Sequence, residues 1–155
     1  PKGLMRELAN SPAQQEASAY ARAFQLPDSH TMLTPELLVG IVNPKDEAVR
    51  AAYFEAFQRS SLEAMMQYYR RNYPREPYQE MAGDPPKVQC PVLQFHGLDD
   101  RALLPAALNG TWDWVAKDWT LVTVPGAGHW VHHDAPELVN QTMLDWLKRH
   151  PVSSE

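Results

Sequence analysis

Two short apolar runs, Val92-Leu93-Gln94-Phe95 and Leu121-Val122-Thr123-Val124, constrain the fold of this chain more than any other feature. Each reads as a buried strand, over about 91–96 and about 119–124. Helical composition follows each run, over about 104–116 and about 135–149. Strand and helix in alternation imply parallel strands joined by right-handed crossovers. Two parallel strands alone leave both faces and both edges uncovered. The pattern therefore predicts that further strands come from sequence not present here. The first residue is Pro1, so the chain is also expected to lack its true beginning.

Both strands run into a turn that carries reactive side chains. His96-Gly97-Leu98-Asp99-Asp100 follows the first, and Pro125-Gly126-Ala127-Gly128-His129-Trp130 follows the second. An acid and then a histidine, each at a strand exit, form the second half of the chain order nucleophile, acid, histidine. The acid fixes the tautomer and orientation of the imidazole, which then activates a water or a nucleophile. The nucleophile turn needs small residues, usually glycines, two before and two after the nucleophile. The seven glycines are Gly3, Gly40, Gly83, Gly97, Gly110, Gly126 and Gly128, and no two are four apart. The single cysteine, Cys90, precedes Pro91 at a strand entrance and reads as a buried spacer. The acid and the base are present without the group they serve.

Asp99 and Asp100 compete for the acid, since either side chain can serve only to stabilise the turn. His132 and His133 fall at the start of the last helix and read as surface or first-turn residues. His129-x-x-His132 is a weak metal signal with no carboxylate or cysteine at ligand spacing, so neither metal nor cofactor is expected. Trp112, Trp114, Trp119 and Trp146 read as core or sheet-covering residues, while Trp130, beside His129, is a candidate pocket wall that binds substrate.

Residues 1 to 84 differ in character. Prolines punctuate a series of helices. Ser11-Pro12 caps a helix over 14–24, and Thr34-Pro35-Glu36 repeats the device before Leu37-Leu38. Two more helices are expected over 45–59, with Ala52, Phe54, Ala56 and Phe57 on its apolar face, and over 61–71, with Leu62, Met65, Met66 and Tyr69 on its own. Tyr20 and Tyr69 read on pattern alone as interface tyrosines, and Tyr68 and Tyr73 are equivalent by periodicity. Asp84-Pro85-Pro86-Lys87 is the break before the strand-bearing region, 85–155. A net charge of −5 gives no footprint for nucleic acid or an anionic membrane. One cysteine excludes an internal disulfide, and no signal peptide or membrane span is visible, so a cytoplasmic location is expected.

These residues resemble a known family. Pro91-Val92-Leu93 through Asp100, and Gly128-His129-Trp130 followed by His133-Asp134-Ala135-Pro136-Glu137-Leu138-Val139-Asn140, are similar to the acid turn, histidine turn and final helix of α/β-hydrolases. Ser18-Ala19-Tyr20-Ala21-Arg22-Ala23-Phe24-Gln25-Leu26-Pro27 and Met66-Gln67-Tyr68-Tyr69-Arg70 are similar to the two lid segments that carry ring-opening tyrosines in epoxide hydrolases. Tyr68 stands where that family commonly has tryptophan. The resemblance implies an α/β fold: a helical lid over 1–84, then the last two parallel strands and their helices over 85–155. It places the acid on Asp100, the base on His129 and the ring-opening phenols on Tyr20 and Tyr69. It implies a small-molecule substrate, an epoxide or related electrophile, and a nucleophilic aspartate on a missing N-terminal half of the hydrolase domain. A haloalkane dehalogenase or an ester hydrolase on the same scaffold is the first alternative. A non-catalytic product that acts only by association is the second.

Overall fold

The computed structural model describes residues 2–151, so residues 152–155 of the expected strand-bearing region lie outside the described part. The chain forms two compact units. One holds the chain up to Ala17 together with everything from Gln79 onward, and the other is Ser18–Tyr78. The sequence boundary near residue 84 therefore differs from the observed division at both ends.

Two strands, β1 (Val92–Gly97) and β2 (Trp119–Val124), anchor the first unit. They pair in parallel, with Val92 opposite Trp119 and Gly97 opposite Val124. The expectation of fully buried strands holds only at the strand exits, at His96 and Gly97 of β1 and at Val124 of β2. Val92 to Phe95 are half-buried, as befits a two-stranded sheet with limited cover. Residues 86–90 are exposed, and the stretch is tied by one bridge, Val88 to Val115. Cys90 is accordingly exposed rather than a buried spacer.

The helix expected over 104–116 does not form. Two 3-10 turns, Pro105–Leu108 and Thr111–Trp114, take its place. Asn109 is extended and Gly110 sits at φ +77°, which ends one turn and starts the next. Trp112 is thereby 56% exposed instead of buried, its ring centroid 6.0 Å from that of Trp119.

Helix α1 (Lys2–Asn10), which sequence reading did not single out, packs on the first of these turns. A Cβ on Gly3 would lie 2.0 Å from Ala107 O, so only glycine permits the approach. Arg6 fastens the contact by donating to Ala106 O and Asn109 O at 2.8 and 3.0 Å. These bonds place the first residues with the strands rather than with the later helices. Helix α2 (Pro12–Ala17) follows, its N-terminus capped by Ser11 Oγ, which accepts from Gln14 N at 3.3 Å.

The helical unit begins where the helix expected over 14–24 breaks. Ser18 leaves helical geometry at ψ 7°, and α3 (Ala19–Phe24) starts after it. Ser18 is fully buried, and its Oγ accepts from the Tyr73 phenol at 3.0 Å. Helices α4 (Pro35–Val42), α5 (Glu47–Arg59) and α6 (Leu62–Asn72) follow, each opened by a side-chain cap from Thr34, Asp46 or Ser61. Leu33, Leu38 and Met66 form the core of this unit, joined by Phe24, Phe57, Leu62 and Tyr69. Two expected apolar faces are narrower than the sequence suggests. Ala52, Ala56 and Met65 are exposed, because α5 contributes mainly Phe57 and α6 mainly Met66 to the cluster.

The last elements belong to the strand-bearing unit. They are α7 (Val131–Asp134) and α8 (Pro136–Arg149), both packed against β1. Among the described residues no helix is long and apolar enough to cross a membrane.

Candidate active site

The acid and histidine turns are built to touch. Val124-Pro125-Gly126-Ala127 closes with Ala127 N donating to Val124 O, and Gly126 takes φ +77°. Proline followed by a left-handed glycine is the signature of a type II turn, which folds the chain back at the strand end. Asp99 N then donates to Ala127 O at 2.9 Å, so each turn braces the other. Gly97 makes the contact possible. A Cβ there would lie 2.2 Å from Gly128 O and 2.4 Å from Ala127 O. Gly97→Ala must push these backbones apart and is expected to lower stability by about 1–3 kcal/mol, the usual cost of overpacking. Denaturant unfolding checks this, and an unchanged midpoint would show that the turns yield freely.

The contact brings Asp100 to His129. Asp100 Oδ2 lies 2.9 Å from His129 Nδ1. The other oxygen, Oδ1, accepts from the backbone N–H groups of Ala102 and Leu103 at 2.8 and 3.0 Å. These bonds orient the carboxylate, which is almost fully buried, while the imidazole is 39% exposed. A carboxylate only accepts, so it favours the ring proton on Nδ1 and leaves Nε2 of the neutral ring with its lone pair free to accept. Asp99 is exposed and serves through its backbone. The geometry thus separates two carboxylates that the residues alone left equivalent.

Trp130 is half-buried, its ring edge-on to His129 with centroids 5.1 Å apart. His132 and His133 sit on α7, with ring centroids 4.3 Å apart. Burial, and then the neighbouring His133, hold the His132 imidazole below its usual range. Among the described residues no group of three or more histidine, cysteine, aspartate and glutamate side chains is placed to hold a metal ion.

The helical unit brings Tyr20 and Tyr69 together. Their rings meet edge to face with centroids 6.0 Å apart, and Phe24 completes the cluster 5.0 Å from Tyr69. Tyr68 is 63% exposed and Tyr73 is engaged with Ser18, so the four tyrosines are no longer equivalent. Burial, followed by the neighbouring Tyr68 and Tyr73 phenols, raises Tyr69 above the usual phenol range. A phenol is protonated at neutral pH even without this shift, so the Tyr69 O–H keeps its capacity to donate.

Sequence reading missed three side chains that hold these groups. Asp134 Oδ2 accepts from Gly128 N at 2.8 Å and pins the histidine turn. Gln25 ends α3 and reaches the carbonyls of Tyr69, Tyr73 and Pro74 at 2.9–3.3 Å, tying the helix of Tyr20 to that of Tyr69. Gln14 is fully buried against the loop after Asp100. Asp134 and Gln25 both lay inside the segments that carried the family resemblance, which was the available signal.

Parallel strands flanked by helices, with an acid and then a histidine in successive strand-exit turns, define part of an α/β-hydrolase fold. The comparisons agree, and they make the likeness narrower. An epoxide hydrolase from Bacillus megaterium superposes on 96% of the chain with a TM-score of 0.80 at 23% identity, over 57% of its own length. A structure described under novel epoxide hydrolases of the α/β-hydrolase superfamily from hot-environment metagenomes gives a TM-score of 0.76 at 29% identity, over 95% of this chain and 55% of that one. In sequence, epoxide hydrolase 3 of Xenopus tropicalis is 27% identical over 88% of the chain, and an AB hydrolase superfamily protein of Bacillus subtilis is 28% identical over 88%. No family model matches. The chain spans 40% and 50% of the length of these two curated relatives.

Proposed function

We propose that this chain supplies the ring-opening phenols and the acid–base pair of an epoxide hydrolase whose nucleophile lies on a hydrolase segment outside these residues. The meeting of Tyr20 and Tyr69 carries the reading, because a generic ester hydrolase has no use for paired phenols. In the first step a carboxylate oxygen of the outside segment forms a bond to an epoxide carbon. The ring C–O bond breaks and its electron pair moves to oxygen, which Tyr20 and Tyr69 stabilise and one of them protonates. The product of this step is an alkyl ester.

In the second step His129 Nε2 takes a proton from water as the water oxygen attacks the ester carbonyl. Asp100 holds the imidazolium that results. The tetrahedral intermediate collapses, the carboxylate is released, and the alcohol oxygen takes the proton back from His129. The other proton of the water, left on the hydrolysed carboxyl group, passes to the phenolate, so the sum is epoxide plus water giving a diol. Trp130, edge-on to His129, is suited to wall the substrate.

The 155-residue chain alone is expected to turn over no epoxide, ester or haloalkane, since it lacks a nucleophile turn. Coexpression with the sequence encoded upstream of it is expected to restore epoxide hydrolysis, assayed as diol formation. Turnover by the pure chain would contradict the proposal.

A further inference from the structure

Gln14 is a fully buried amide on α2, in the same unit as the acid and histidine turns. Its Nε2 donates to Ala102 O at 2.8 Å, and its Oε1 accepts from Leu104 N at 2.9 Å. The same stretch of backbone carries the N–H groups of Ala102 and Leu103, which both donate to Asp100 Oδ1. The remaining carboxylate oxygen faces His129. Hydrogen bonds at both ends of a short stretch of backbone thus link Gln14 through the 101–104 loop to the imidazole.

An apolar side chain would fill the same volume without the desolvation that a buried amide suffers. An amide is the side chain whose rigid end offers one donor and one acceptor together, which a carbonyl and an N–H two residues apart require. Resting on the proposed reaction, we infer that Gln14 is a positioning residue for the Asp100–His129 pair. It fixes the loop whose N–H groups aim the carboxylate, and through the carboxylate it fixes the tautomer of His129.

The test uses the 155-residue chain with Gln14→Met, close to isosteric and without either bond, and Gln14→Glu read at a pH where its carboxylate is ionised, so that it keeps only the acceptor for Leu104. Nitrogen NMR of the His129 ring reports its tautomer, and amide exchange reports the loop. In the parent, His129 is expected as the Nδ1–H tautomer, with Ala102, Leu103 and Leu104 opening together. In Gln14→Met the ring is expected to show mixed tautomers. The three amides are expected to exchange about tenfold faster or more, as the loss of bonds of ordinary net strength implies, while the β1–β2 ladder is unchanged. Gln14→Glu is expected to fall between the two.

Faster exchange at Leu104 alone, with the His129 ring unaltered, would reduce Gln14 to a packing residue and overturn the inference. Should Gln14→Met fail to fold, the Gln14→Glu ring spectrum decides, with an unaltered tautomer overturning the inference. Independent opening of Leu104 from Ala102 and Leu103 in the parent overturns it as well. In the reconstituted enzyme Gln14→Met is expected to lower kcat by about 10–100-fold, with KM little changed, as misplacement of a catalytic group does. A shifted tautomer in an enzyme that opens no epoxide would support the coupling and remove only the epoxide reading.

Discussion

His129→Gln is expected to abolish steady-state turnover of the reconstituted enzyme while leaving one round of epoxide opening intact. The first step uses the outside carboxylate and the phenols, and neither needs the imidazole. The second step needs a base for water, and glutamine is none. A loss of about 10⁴-fold is the scale expected when such a base is removed or wrongly held. Asp100→Asn is expected to resemble it, because an amide in place of the carboxylate no longer favours a proton on Nδ1, which lies 2.9 Å away. Asp99→Asn is expected to be mild, since Asp99 acts through its backbone N–H to Ala127 O. His132→Gln and His133→Gln, on α7, are expected to leave turnover near the parent rate. Burst kinetics with a chromogenic epoxide measure all five. Full turnover by His129→Gln would remove the catalytic reading of the histidine turn.

Tyr20→Phe and Tyr69→Phe are each expected to slow the opening step itself. A lost oxyanion donor costs about 10²–10³-fold in rate. The rings lie close enough that each phenol can partly cover for the other, so the double variant is expected to be slower than either single one. Tyr68→Phe is the control, because that side chain is largely exposed. Single-turnover measurements of ester formation separate this effect from that of His129, which falls on ester hydrolysis. Parent rates in both single variants would make the tyrosines packing residues and leave a generic hydrolase.

The parts of the molecule legible in the sequence were those specified by neighbouring residues. Both strands fall within a residue of expectation, because short apolar runs ended by glycine turns admit few alternatives. The caps at Ser11 and Thr34 were legible for the same local reason. The segment over 104–116 misled, because its apolar residues suggested a helix while Asn109 and Gly110 divide it. The break at Ser18 is tertiary in origin and has no local signal, since its partner is Tyr73. Pattern alone could not choose between Asp99 and Asp100 or among the four tyrosines, and family resemblance made those choices. Gln14 was illegible because its partners, Ala102 and Leu104, lie far along the chain.

The most direct test of the central proposal is the location of the covalent intermediate. The reconstituted His129→Gln enzyme is pulsed with an epoxide, quenched, and its two segments are weighed separately as intact proteins. The account predicts a mass increase equal to the substrate on the outside segment and none on the 155-residue chain. An adduct on the 155-residue chain would show that the nucleophile lies within it and would contradict the account.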